Sequence, residues 1–259
     1  NRRNLVPEYK SNRNNSRITN WDVFNDIEEE NESKYDQMAR LIHYLRCLPI
    51  KVVSKDRTEA DDIIAYLATT LSEEKNSKVT IVSSDQDFLQ LVNKNITVFR
   101  PMEKKYYTPA MVREKFGVLP ENFILYKTLV GDSSDVVKGI KGMGQKRVIK
   151  LFPDITERKM EFKELFEVSA ENLKKNKAYP QILFEQNNLE KYYKIMDLAN
   201  PLIDEDEKGD LDDLIEARTF KYKPKEFLDL YKEDSMGNAI RNVQSWLFEC
   251  FGTLTGFNK

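Results

Sequence analysis

Three groups of carboxylates stand close together in the chain: Glu59-Ala60-Asp61-Asp62, Asp85-Gln86-Asp87, and Asp132 with Asp135. Brought to one place they would repel each other, and burial would make the repulsion worse. Divalent cations resolve that conflict. A donor set made only of oxygens, with no His or Cys, suits hard ions such as Mg²⁺ or Mn²⁺. Two such ions about 4 Å apart stabilise both the attacking and the leaving oxygen of an in-line phosphoryl displacement. Each group also has a plain structural reading, because Asp and Glu before a helix are caps and Asp after a strand is an ordinary loop residue. Taken singly, each is better explained as structure; their combination points to chemistry.

A second feature is the turn Gly139-Ile140-Lys141-Gly142-Met143-Gly144, followed by Gln145-Lys146-Arg147. It has the form of a helix–hairpin–helix. Glycines allow a tight turn and close approach to a phosphate, and a following helix offers free N–H groups to an anion. Between Val136 and Lys150 lie Lys138, Lys141, Lys146, Arg147 and Lys150 and no acid. Such a patch fits a phosphate backbone better than bases. The candidate DNA contacts are Gly139, Lys141, Gly142, Gly144, Lys146 and Arg147. The competing reading is a solvated connector with glycine caps. A nucleotide-binding P-loop is excluded because no GK[ST] ending follows.

The elements that must position these groups follow from periodicity. Residues 1–36 are polar, basic first and acidic later, with Glu28–Glu30 read as a solvated charge run. A helix is expected from near Ser33, burying Met38, Leu41, Ile42 and Leu45, and ending at Pro49. Ile50–Val53 reads as a strand. Glu59 opens a helix with Ile63, Ile64, Leu67 and Leu71 on its buried stripe. Lys78–Val82 has the β-branched composition of a buried parallel strand, and Asp85 and Asp87 follow its end, where open α/β sheets bind ligands. A short helix to Leu91 and a strand at Ile96–Arg100 come next. This alternation predicts an α/β fold with a mostly parallel central sheet flanked by helices. Beyond Pro109 the pattern is helical, apart from the glycine turn and an acidic loop at Asp204–Asp213. No internal repeat of solenoid length is present.

Composition narrows the setting. The 259 residues fit one large or two small domains. Lys and Arg (41) nearly balance Asp and Glu (43), so any nucleic-acid signal lies in local clustering. Cys47 and Cys250 form no CxxC pair, which argues against a zinc site or a disulfide framework and for a reducing, cytoplasmic setting. No apolar run approaches the roughly 20 residues of a membrane span. The chain opens at Asn1 without an initiator Met, and a truncated N-terminus is expected.

Five motifs in order bear a resemblance. Tyr9-Lys10-Ser11-Asn12-Arg13 resembles a YKxxR segment, Glu59–Asp62 an EADD motif and Ser83–Asp87 an SxDxD motif. Gly131–Asp135 resembles GDxxD, and the glycine turn follows it. Together they are similar to the flap endonuclease superfamily of 5′–3′ exonucleases, in particular its phage type. The resemblance implies a twisted sheet with a helical arch at residues 10–46, an α/β nuclease domain over 1–135, and a helix–hairpin–helix with a C-terminal helical region over 136–259. It implies Glu59, Asp61, Asp62, Asp85, Asp87, Asp132 and Asp135 as the metal region, with Lys10 and Arg13 reaching the scissile phosphate. It also implies a K⁺ ion on the hairpin carbonyls. The implied substrates are flap or branched DNA and RNA/DNA primer duplexes, alongside replication proteins. Trp21 and Phe24 in the arch are read as base-stacking or arch-packing residues, His43 as a surface residue, and Tyr192 and Tyr193 as helix core.

Two departures from the family pattern stand out. An N-terminal strand with a metal-binding Asp, and an FDG motif after it, would precede Asn1; the 259 residues by themselves are therefore expected to bind metal weakly and cleave poorly. Val136 stands where the family has Asn. Two other readings compete. One is a non-catalytic DNA-binding module of the same fold. The other is a phosphatase of the haloacid dehalogenase kind, whose DxDxT motif Ser83–Phe88 does not complete because the Thr is missing.

Overall fold

The computed structural model describes residues 2–11, 20–73, 77–217 and 221–257, the last three by backbone alone. In chain order the elements are α1 (Arg2–Leu5), α2 (Ile27–Arg46), α3 (Ala60–Glu73), β1 (Val79–Val82), β2 (Ile96–Arg100) and β3 (Lys105–Tyr107). Next come α4 (Pro109–Phe116), α5 (Phe123–Val130), β4 (Gly131–Asp132), β5 (Val137–Lys138) and α6 (Gln145–Leu151). The chain continues through α7 (Glu164–Glu171), α8 (Ala178–Phe184) and α9 (Gln186–Met196), then α10 (Glu205–Glu216), α11 (Pro224–Glu233) and α12 (Val243–Phe251). Packing divides it into two units, residues 1–14 with 56–205 and residues 15–55 with 206–259. The boundary at 135/136 suggested by the motifs therefore falls inside the first unit.

In the first unit β1 and β2 pair in parallel, Val79 opposite Ile96 through Val82 opposite Phe99. β3 joins β2 antiparallel, Val98 opposite Tyr107. The described sheet thus has one parallel and one antiparallel pair, and β3 was not anticipated. Residues alternate along β2, so Ile96, Val98 and Arg100 point into the core while Thr97 and Phe99 are only partly covered. That core gathers Phe88, Leu89, Tyr107, Phe123, Leu129, Val148 and Phe152. α3 buries Ile63, Ala65 and Ala68, with Ile64 only partly covered. The face is narrower than the Ile63/Ile64/Leu67/Leu71 stripe, because small residues let the helix lie close to β1. Tyr192 and Tyr193 pack half-buried against the core, as expected of α9.

The second unit departs most from expectation. α2 starts at Ile27 rather than near Ser33, because Asp26 caps it and accepts from the N–H groups of Glu28 and Glu29, both at 2.9 Å. Acidic residues in that first turn also suit the helix dipole. Glu30 is 1% exposed and pairs with Lys34 at 3.3 Å, so the run Glu28–Glu30 is not wholly solvated. Met38 and Leu41 are exposed. The face that packs carries Arg40 and Tyr44, whose guanidinium and hydroxyl donate to Asp234 at 2.6–2.8 Å. Cys47 and Leu48 then join Phe227, Tyr231 and Leu247 in a small core. His43 and Trp21 are exposed.

Ile50–Val53 forms no strand. The Lys51 ammonium instead donates to the carbonyls of Leu214 and Ala217, the kind of group a helix C-terminus leaves without partners. The acidic stretch expected as a loop is helix α10. Leu211 anchors it at 1% exposure, Glu205–Glu207 lie in its favourable first turn, and Lys55 pairs with Asp210. Charge alone misleads there, because neighbours supply the opposite sign.

Candidate metal centre

The loop Ser83–Asp87 begins where the β1–β2 ladder ends, with the Ser83 N–H bonded to the Phe99 carbonyl at 3.0 Å. Ser83 Oγ accepts from the Asp85 N–H at 3.1 Å, and Asp85 Oδ1 accepts from the Asp87 N–H at 2.9 Å. These local bonds turn the chain so that Asp87 leads into the core. Asp132 lies on β4 and accepts from Ser134, through its N–H at 2.8 Å and its hydroxyl at 2.5 Å. Asp135 is buried, and its carbonyl accepts from the Lys10 N–H at 3.2 Å.

Asp87, Asp132 and Asp135 each offer an oxygen within 4.8 Å of the others. Between two of them sits Lys127 of α5, 9% exposed, its ammonium bonded to Asp87 and, at 2.6 Å, to Asp132. The Lys127 ammonium lies between these two carboxylates and offsets their mutual repulsion. Lys127 was not among the sequence candidates. Its signal was a single cation in the apolar helix Phe123–Val130.

Glu59 accepts from the Lys10 ammonium at 2.6 Å and the Tyr9 hydroxyl at 3.3 Å. Asp61 is half-buried, and burial and the charges of Asp85 and Glu59 raise its carboxyl above the usual range. Asp85 acts on both Asp61 and Asp87, so it links the Glu59/Asp61 pair to the trio. Asp62 is different. It is 1% exposed, binds the Arg2 guanidinium at 2.7 Å through Oδ1, and accepts from the Leu202 N–H at 3.0 Å. Arg2 in turn donates to the Ile195 carbonyl at 2.6 Å. Asp62 is the acid of a buried ion pair with Arg2, whose guanidinium also lies 3.7 Å from Glu59. Arg13 lies outside the described residues.

Burial pushes the Asp87 carboxyl up to about 6, against the pull of Lys127. At Asp132 burial acts the same way, but hydrogen bonds from Lys127 and Ser134 outweigh it and hold the group at about 2. A divalent ion held by Asp87 would have to displace its proton, so acid would compete with metal. Raising pH from 5 to 7 should therefore tighten Mn²⁺ binding by about tenfold, the ratio of ionised Asp87 at the two values. Calorimetry at both pH values checks this, and equal affinities would exclude Asp87 as a ligand.

In the hairpin, Ile140 and Met143 are buried and the Ile140 N–H bonds to the Leu129 carbonyl at 2.8 Å. Lys138, Lys141 and Lys146 face outward. A Cβ on Gly139 would sit 2.2 Å from the Val130 carbonyl carbon, so this glycine is required by close backbone packing. Gly142 turns at φ +71, whereas Gly144 is extended with open space around it. Arg147 donates to the Gly142 carbonyl at 3.2 Å and to Asn176 at 3.2 Å. It braces the turn, and one hairpin carbonyl proposed for K⁺ already serves a cation.

Residues 1–117 match the family model for the 5′-3′ exonuclease N-terminal resolvase-like domain. A 5′-3′ exonuclease of Aquifex aeolicus is 37% identical over 171 residues, 64% of this chain and 54% of that protein. The DNA polymerase I of Bacillus subtilis is 35% identical over 143 residues, 54% of this chain and 16% of the polymerase. Among solved structures, a bacteriophage T5 5′-exonuclease with bound divalent zinc has a TM-score of 0.61 at 20% identity, covering 89% of this chain and 79% of that one. Over its N-terminal part the chain is similar to 5′–3′ exonucleases, and its fold is similar to that of the T5 enzyme.

The chain spans about half the length of the exonuclease relatives, 54% and 47%. No helix among the described residues is long and apolar enough to cross a membrane. Within the superfamily pattern, Val136 takes the position of an Asn, and the structure shows what that substitution entails. Val136 has φ +60, a left-handed conformation that disfavours β-branched residues and suits Asn. Val136→Asn should therefore stabilise the chain by about 1 kcal/mol, raising the unfolding midpoint by roughly 2–4 °C. An unchanged or lower midpoint would show that the turn holds Val136 without strain.

Proposed function

We propose that this chain carries the catalytic centre of a structure-specific 5′ nuclease that hydrolyses phosphodiesters in flap or branched DNA and in RNA/DNA primers during replication. The observation that carries the reading is the carboxylate trio Asp87, Asp132 and Asp135, its oxygens within 4.8 Å of one another around an ammonium group. The donor set fits Mg²⁺ or Mn²⁺. Asp87, Asp132 and Asp135 would hold one ion, and Glu59, Asp61 and Asp85 would supply a second position. Bound divalent ions polarise a phosphoryl oxygen and lower the pKa of water.

The chain's own groups do the rest. Lys10, anchored on Glu59, presents a positive charge beside these carboxylates, with Arg13 three residues further on. Lys141 and Lys146 beside the hairpin would take phosphates of the duplex without regard to base sequence. A bacteriophage T5 flap endonuclease of similar fold, 19% identical with a TM-score of 0.61, was solved with DNA and metal ions, which supports the reading.

The test is Mg²⁺-dependent release of a labelled 5′ flap. Cleavage abolished by chelator and restored by Mg²⁺ is expected, and cleavage indifferent to chelator would overturn the reading. Reversing the charge at Lys141 and Lys146 should weaken duplex binding equally for unrelated sequences and reduce the slope of log K against log salt by about 2. These two are chosen over Arg147 because Arg147 also braces the turn. Unchanged slopes would make the hairpin a mere connector.

A further inference from the structure

Arg100 ends β2, is 9% exposed, and was no part of any motif. Its guanidinium donates to the Ser84 carbonyl at 2.7 Å and to the Glu103 carboxylate, and lies 5.7 Å over the Tyr107 ring. Glu103 is fixed in turn by the Tyr107 hydroxyl at 2.6 Å and the Lys115 ammonium at 2.9 Å. The buried Nε of Arg100 finds no hydrogen-bond partner. A buried cation with an unsatisfied N–H is costly, and an apolar residue would serve a core strand better.

What the cation accomplishes is visible in the loop it holds. Ser84 immediately precedes Asp85, whose carboxylate caps the Asp87 N–H at 2.9 Å. The ladder bond at Ser83 and the Arg100 bond at Ser84 are therefore the last two fixed points before both acidic residues. Local bonds inside the loop shape it but do not tie it to the sheet. Among the described residues, these two bonds do so from the β2 side.

We propose that Arg100 is a positioning residue that holds the Asp85–Asp87 loop in its metal-binding conformation, acting through the Ser84 carbonyl. The inference rests on the metal-nuclease reading above. Partners one step behind metal ligands commonly change affinity or activity by about 10–100-fold when removed.

The experiment compares the full chain with Arg100→Gln, Arg100→Lys and Glu103→Gln. Mn²⁺ binding is measured by calorimetry without DNA, and kcat and KM on a flap substrate. Arg100→Gln should weaken Mn²⁺ binding about tenfold or more and lower kcat similarly at saturating DNA, with KM within twofold. Arg100→Lys, keeping charge but not the fork of donors, should fall between. A folded Arg100→Gln protein whose Mn²⁺ affinity and kcat stay within twofold of the parent overturns the proposal. If Arg100→Gln does not fold, Arg100→Lys decides, and a folded Arg100→Lys protein with Mn²⁺ affinity and kcat equal to the parent's overturns the proposal equally. Glu103→Gln, which leaves the Ser84 bond in place, should keep Mn²⁺ affinity within twofold. A parent chain that neither binds Mn²⁺ nor cleaves, even when supplied with the N-terminal strand and FDG segment of the family pattern, would instead sink the nuclease reading itself.

Discussion

Replacing Asp87 or Asp132 with Asn is expected to lower flap cleavage by about three orders of magnitude. Positive ions at this trio are asked to supply several kcal/mol of transition-state stabilisation, and each ~1.4 kcal/mol is a factor of ten in rate. The trio shares one cation position, so removing either carboxylate should cost nearly as much as removing both. Folding is a separate matter. Each substitution keeps a polar group of the same shape, and Lys127 retains one carboxylate partner in either case. The unfolding midpoint should move by only a few degrees. Single-turnover cleavage and a thermal melt on the same preparations check both halves. Variants that retain activity within tenfold of the parent would place the reacting centre elsewhere.

Asp62→Ala is expected to act in the opposite way, on stability rather than chemistry. The Arg2 guanidinium and the Asp62 carboxylate are 5% and 1% exposed, so removing the acid leaves a buried positive charge with only Glu59 at 3.7 Å to face it. Breaking such a pair from one side costs about 3–5 kcal/mol. In a protein of this size that corresponds to roughly 10 °C in the unfolding midpoint. Replacing both partners together, Arg2→Met with Asp62→Leu, should recover most of the loss, because neither charge is then left buried. Cleavage per folded molecule should change little beside the Asp87 variants. The opposite outcome, an Asp62→Ala protein as stable as the parent but unable to bind Mn²⁺, would return Asp62 to the metal site.

The contrast between Asp61 and Asp62 marks where sequence reasoning stops. Adjacent helical residues point about 100° apart, since the helix has 3.6 residues per turn. Spacing identifies a pair of acids at the start of α3. It cannot say which one faces Asp85 and which faces Arg2, sixty positions away.

What the amino-acid order determined by itself is local. The β-branched runs of β1 and β2, the turn of Ser83–Asp87, the GDxxD segment and the glycine hairpin all arise from interactions a few residues long. So the α/β character, five motifs in order and a set of seven acids that contains Asp87, Asp132 and Asp135 were legible before any coordinates. Long-range contact decided the rest. Lys127 became the cation of the cluster only when α5 packed beside the β1 loop, forty residues away along the chain. The acidic stretch became α10 because Leu211 found a core and Lys51 and Lys55 lay near. Gly139 proved indispensable through a backbone clash with Val130, while Gly144 did not. Ile50–Val53 has strand composition, but a strand exists only where another edge offers hydrogen bonds. Charge pairing and backbone approach depend on which distant groups meet, and no local pattern of residues encodes that.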